Sequence, residues 1–235
     1  MKMLGLLVGT GAALVYAGYN TMAPRSQLYG QTFIGSGKRK QELALTYDDG
    51  PNDPHTQNLL EILAKHSVKA TFFLIGRFVD QRPDIVRDIV KEGHVVANHT
   101  YTHPNLVFVS QAKFRQELAR CERALDDAVG HAHAPLFRPP YGGRRPAVLR
   151  TLKQEEFKPI LWSVSSWDWD AKSAEQIERK VASQVQGGDV ILLHDGGNLK
   201  FGTDRSFTVQ ASDRMIARYK NEGYEFKTVP QMMST

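Results

Sequence analysis

Cysteine is almost absent from this 235-residue chain. Cys121 stands alone, which excludes an intramolecular disulfide and a thiolate metal centre. Phe114, Leu118 and Leu125 share its face at helical spacing, so it reads as a small core residue and not as a nucleophile. Basic runs interleaved with aromatics are also missing. The nearest approach is Lys38-Arg39-Lys40, and no nucleic-acid partner is expected. No glycine-rich phosphate fingerprint follows the first strand, which counts against a dinucleotide fold. Internal repeats and low-complexity segments are absent too, leaving one domain behind a short leader.

What is present suits an ordinary globular protein. With 41% hydrophobic and 23% charged residues, the chain can bury one substantial core. A formal charge of +5 fits an anionic polymer partner. Lys2 precedes an uncharged apolar run from Met3 to Tyr19, ending in Val15-Tyr16-Ala17-Gly18. Residues 1–22 therefore read as a secretory signal or an N-terminal membrane anchor, and either places the remainder outside the cytoplasm. Residues 23–40 mix prolines, glycines and basic residues without periodicity and read as a linker.

From residue 41 onward the pattern becomes regular. Apolar runs at 43–46, 70–75, 94–97, 136–137, 160–164 and 190–193 predict strands. Helical spacing falls between them at 55–66, 83–92, 110–129, 146–156, 173–185 and 208–221. This alternation implies an α/β fold with a parallel sheet and helices outside. Six to seven such units fall short of a complete eight-unit barrel, so a distorted, incomplete (β/α) barrel with about seven parallel strands is expected.

Polar clusters sit where the predicted strands end, as active-site loops do in α/β barrels. Asp48 and Asp49 follow the first strand, and adjacent acids of this kind need a cation or an arginine nearby to stay ionised. His99 and His103 are four apart; on one face of a helical turn they would reach a single metal, with an aspartate as a hard third ligand. Two histidines and one carboxylate leave coordination positions open, as a catalytic site requires. Further along come Arg138-Pro139-Pro140-Tyr141-Gly142, Trp167-Asp168-Trp169 and His194-Asp195-Gly196. His131 and His133 have no carboxylate motif beside them and read as solvated surface residues.

These five clusters, in this order, resemble the polysaccharide deacetylases with a NodB-type domain, also called carbohydrate esterase family 4. The resemblance runs from about Leu43 to Val229 and implies a distorted barrel with fewer than eight strands. It implies Asp49, His99 and His103 as ligands of one divalent metal, most often Zn2+, with Co2+, Ni2+ or Mn2+ as alternatives. It implies Asp48 as catalytic base, Arg138 as its ionic partner, His194 as general acid and Asp168 as the carboxylate orienting it. The Tyr141 amide would donate to the oxyanion, and Trp169 and Leu192 would wall the acetyl methyl. The expected activity is removal of N-acetyl groups from N-acetylglucosamine-containing polysaccharide, by a monomer. Arg138 points away from the muramic-acid-directed branch of the family. An acetyl ester, as in acetylated xylan, suits the same chemistry, and a silent glycan-binding relative would be expected to have lost one of these residues. Two departures stand out: Tyr47 replaces the usual phenylalanine and carries a hydroxyl needing a partner, and Trp167 is an added aromatic.

Overall fold

The apolar runs of the sequence form one parallel sheet in a computed structural model that describes residues 15–37 and 41–234. Its strands are β1 (Glu42–Asp48), β2 (Thr71–Leu74), β3 (Val95–Asn98), β4 (Leu136–Phe137), β5 (Lys158–Pro159), β6 (Val164–Ser165) and β7 (Asp189–His194). Their spatial order is β5-β4-β3-β2-β1-β7-β6, all neighbours parallel, and a short β8 (Glu225–Phe226) pairs with the first two residues of β1. The sheet curls without β5 meeting β6, giving the open, distorted barrel expected from the count of units. Helices cover it: α1 (His55–Lys65), α2 (Gly76–Gln81), α3 (Pro83–Lys91), α4 (Gln111–Val129), α5 (Pro146–Gln154), α6 (Ala174–Ala182), α7 (Ser206–Asn221) and α8 (Val229–Met233).

Period-two alternation along the strands decides what faces where. Leu43, Leu45 and Tyr47 on β1 point outward with Phe72, Leu74, Ile191 and Leu193 into the cluster under the helices. Each such side chain contributes about 1.5–3 kcal/mol when fully buried. Ala44, Phe73, Ala97 and Val190 point inward and pack on Val229 and Met232 of α8, which plugs the bottom of the barrel. The same alternation turns Thr46, Asp48, Leu192 and His194 inward, and strand register sets Asp48 beside His194. Tyr47 keeps its ring among the outward apolar residues, and its hydroxyl lies 2.9 Å from Ser212 Oγ on α7.

Helix α4 is started by Ser110, whose hydroxyl accepts from the Lys113 amide, and stops at Gly130 with φ 60°. Phe114, Leu118, Cys121 and Leu125 are its buried stripe, as their spacing indicated.

The apolar run predicted as one strand at 160–164 is divided. Ile160 still donates its amide to the Phe137 carbonyl of β4 at 2.8 Å, but the Leu161 amide turns away to the Phe33 carbonyl at 2.8 Å. Only Val164 and Ser165 pair with β7. Phe33 also donates to Pro159, and the Ser36 amide donates to Gly188. The stretch read as a linker thus lies along the seam between β5 and β7. Residues 15–22 are helical, and no helix among the described residues is long and apolar enough to cross a membrane. Residues 1–14 of the expected leader lie outside the described residues.

Candidate active site

Asp48 ends β1, and the next residue leaves the strand in a left-handed conformation, with Asp49 at φ 73°. That turn splits the two adjacent carboxylates. Arg138 Nη1 donates to Asp48 Oδ1 at 2.6 Å and to Thr46 Oγ1 at 2.8 Å. The guanidinium is fully buried, with its carbon 4.1 Å from the centroid of the Phe73 ring. Burial pushes the Asp48 carboxyl up, and the charge of Arg138 pulls it back only in part, leaving a stronger base than an exposed aspartate. Asp49 is raised to about 7, chiefly by burial.

His99 and His103 do not lie on a helical turn, as their spacing had implied. The segment after β3 is an irregular loop with Thr100 at φ 69° and His103 at φ 60°. Side chains from neighbouring elements shape it. Asn98 Oδ1 accepts from the Thr100 amide at 2.8 Å. Glu117, buried on α4, accepts from the Thr102 amide at 2.7 Å and from its hydroxyl at 2.9 Å. A β-branched residue at positive φ is costly, so the loop keeps this shape only because these partners hold it.

The loop still brings both imidazoles to Asp49. His99 Nε2 and His103 Nε2 lie 3.5 and 3.3 Å from Asp49 Oδ1. One ligand atom from each of the three residues falls within 4.8 Å of the others. His99 Nδ1 lies 2.7 Å from the Arg138 carbonyl, which fixes that nitrogen as donor and turns the Nε2 lone pair toward the carboxylates. Burial lowers His99 to about 3 and His103 to about 2, so both rings are neutral. Asp49 Oδ1 has no hydrogen-bond partner although it is buried. Neutral imidazole lone pairs facing a buried, unsatisfied carboxylate oxygen repel unless a cation lies between them. The donor set fits one divalent metal with open positions.

Across the cavity His194 ends β7. Asp168 Oδ1 lies 2.7 Å from its Nδ1, and Asp168 Oδ2 accepts from its amide at 2.7 Å. Thr208 and Ser166 add hydroxyl donors to Asp168 at 2.9 and 3.0 Å. Burial opposes a charge on either group, but their mutual attraction outweighs it. His194 rises to about 9 and Asp168 falls below the usual carboxylate range.

Between these groups lies a cavity of about 350 Å3. Eight of the ten site residues expected from sequence line it: Asp48, Asp49, His99, His103, Tyr141, Trp169, Leu192 and His194. Arg138 and Asp168 stand one layer behind, each touching the cavity through its partner. Tyr141 sits at φ 58° in a tight turn whose Gly142 and Gly143 amides donate to Pro139 and Pro140. A side chain at Gly142 would meet the Trp162 ring at 2.9 Å, on a backbone already at φ 68°.

Comparison with known proteins matches residues 35–160 to the family described as Polysaccharide deacetylase. A peptidoglycan-N-acetylglucosamine deacetylase of Bacillus cereus is 40% identical over 88% of this chain and 73% of its own length. The chain belongs to the polysaccharide deacetylase family. A chitooligosaccharide deacetylase of Sinorhizobium fredii is 36% identical over 86% of this chain and 97% of its own. The crystal structure of the Bc1960 peptidoglycan N-acetylglucosamine deacetylase, in complex with 4-naphthalen-1-yl-N-oxidanyl-benzamide, superposes with a TM-score of 0.78 at 38% identity, covering 86% and 91% of the two chains.

Several residues of the deacetylase site were not legible in sequence. Arg205, Asn198 and Trp162 line the cavity, and Asn198 Nδ2 donates to the Tyr141 hydroxyl at 2.7 Å. Arg205 lies in an aperiodic polar stretch, so nothing in its neighbourhood set it apart. Asp195, though part of a recognised cluster, had no assigned task. It is fully buried and accepts from Thr56 Oγ1 at 2.5 Å, and burial raises it to about 7. Its turn packs directly on that of Asp49, since a side chain at Gly196 would come within 2.1 Å of the Asp49 carbonyl. Trp167, the added aromatic, is half exposed at φ 57° and stacks on Trp169 with centroids 5.7 Å apart. His131 is exposed as expected, whereas the His133 side chain is only 10% exposed, tucked against Glu122 and Asp126; neither lines the cavity.

Proposed function

We propose that the chain is a metal-dependent N-deacetylase of N-acetylglucosamine-containing cell-wall glycan, working outside the cytoplasm and releasing acetate. The observation that carries this reading is the convergence on one cavity of a metal-fitting triad, a base paired with arginine and a cationic histidine paired with aspartate. The names of the relatives support N-acetylglucosamine as the sugar. The net charge of +5 favours an anionic polymer such as a cell wall. Residues 1–22 are the proposed leader or anchor, and residues 41–235 the deacetylase domain.

Asp49, His99 and His103 would hold the metal, with Zn2+ the best match to two imidazoles and a carboxylate. When bound, such a cation polarises an acetyl carbonyl and lowers the pKa of water. Asp48, raised by burial and kept anionic by Arg138, takes the proton of the attacking water. The Tyr141 amide, in the turn whose other two amides are committed to Pro139 and Pro140, donates to the tetrahedral oxyanion. His194, held protonated by Asp168, delivers a proton to the departing nitrogen. Trp169 and Leu192 would pack on the acetyl methyl.

The test is mass spectrometry of N-acetylglucosamine oligomers incubated with the full, zinc-loaded chain, alongside acetylated xylan. Loss of acetyl mass from the oligomers, and faster than from xylan, is expected. Acetate released from xylan alone would reassign the enzyme as an ester hydrolase.

A further inference from the structure

Arg144 lies outside the catalytic cavity, yet it is 1% exposed, and among the described residues its guanidinium donates to main-chain carbonyls. Nη2 donates to Ala23 and Ser26, each at 2.7 Å. Nη1 donates to Thr21 at 3.3 Å and to Gly142 at 3.2 Å. The Arg144 amide also donates to the Thr21 carbonyl at 3.1 Å. A buried guanidinium without a carboxylate is costly, and burial depresses its pKa. An apolar side chain would fill the same space without that cost. What it would lack is the rigid fork of donors that sets several carbonyls in one geometry.

Three of those carbonyls belong to the N-terminal stretch, and the fourth is that of Gly142, the residue after Tyr141. A second link from the same stretch reaches the base. Phe33 accepts from the Leu161 amide at 2.8 Å, and the Leu161 carbonyl accepts from Arg138 Nη2 at 3.2 Å. Residues 20–36 therefore meet the machinery at two places, the Tyr141 turn and the arginine that partners Asp48.

We propose that Arg144 is a positioning residue that locks the Tyr141 turn to residues 21–26, making the N-terminal stretch a working part of the deacetylase rather than a spacer. This rests on the reading of the Tyr141 amide as an oxyanion donor. Because a displacement of about 1 Å at such a donor is enough to slow a reaction a hundredfold, the effect belongs in kcat.

The experiment uses the full, zinc-loaded chain with an N-acetylglucosamine oligomer. It compares wild type with Arg144→Met, Arg144→Lys and Gln27→Ala. Gln27 pins the stretch from within: its side chain accepts from the Thr32 amide at 2.7 Å and donates to the Thr32 hydroxyl at 3.1 Å. Arg144→Met should lower kcat on the order of tenfold to a hundredfold, with KM and zinc stoichiometry near wild type. Arg144→Lys should recover part of the loss, and Gln27→Ala should show a smaller fall, again in kcat. Wild-type kcat in Arg144→Met overturns the proposal, and so does a loss of kcat that only parallels a loss of zinc or of folded protein. If Arg144→Met does not fold, unchanged kcat in Gln27→Ala overturns it instead. A wild type that releases no acetate removes the functional reading itself, a result distinct from all of these.

Discussion

Asp168 and His194 are joined twice, once through the ring at 2.7 Å and once through the His194 amide at 2.7 Å. Two links from one carboxylate fix both the position of the backbone and the rotation of the imidazole. The ring is thereby presented to the cavity with its Nδ1 occupied and its Nε2 free to act. Trp169 packs edge-on against it with centroids 5.3 Å apart.

This pair is expected to set the alkaline limb of activity. The folded His194 titrates at about 9 against about 6.5 for a free histidine, so the acid is protonated through neutrality and is lost as pH rises through about 9. Its contribution to stability has the same sign: fully present below about pH 6.5 and lost between there and about 9. In Asp168→Asn the largest force holding the proton disappears while burial remains. The limb in the pH profile of kcat should move to lower pH, and a limb that stayed near 9 would contradict the role given to His194.

Asp48→Asn should leave the metal triad in place while abolishing turnover. A loss of at least a thousandfold in kcat, on the order of removing a general base, is expected together with unchanged zinc stoichiometry. Near wild-type acetate release would reassign the base.

His99→Ala removes one of the two imidazoles that meet at Asp49 Oδ1. Zinc content measured by mass spectrometry of the native protein should fall with activity. Because the metal binds only the folded chain, wild type should also melt at higher temperature with zinc than with chelator, and the variant should lose that difference. A variant that retained full zinc content would remove His99 from the ligand set.

Gly196→Ala should act on the metal without replacing any of the three side chains proposed to hold it. A side chain there would overlap the Asp49 carbonyl at 2.1 Å, so the Asp49 turn must shift. Isothermal titration with Zn2+ should show weakened binding by about tenfold or more, the loss expected when a supporting contact is removed.

Tyr47→Phe should be mild. It removes a buried hydroxyl that pairs with Ser212 and leaves that serine unsatisfied, for a loss of about 1–2 kcal/mol by chemical denaturation, with kcat nearly unchanged.

Much of this site was readable from residue order because the chemistry sits at strand ends, where apolar alternation stops and polar clusters begin. Asp48, His99, Arg138 and His194 were found that way. The barrel's openness followed from counting strand and helix signals. What escaped was set by tertiary partners. Glu117 looks like any charged residue on a helix, and only the fold buries it beneath Thr102. The 160–164 run signalled burial, and burial alone does not say which backbone will take its hydrogen bonds. The His99–His103 loop had the spacing of a helical turn, but Asn98 and Glu117 offer its amides better partners than its own carbonyls.

Arg138 and Asp168 stand behind the cavity surface, while Trp169, Leu192 and Tyr141 form it. The groups that tune proton affinity are thus sheltered from the groups a sugar would touch. A substitution at Leu192 would therefore reshape the cavity wall while leaving both buried partners, Arg138 and Asp168, in place.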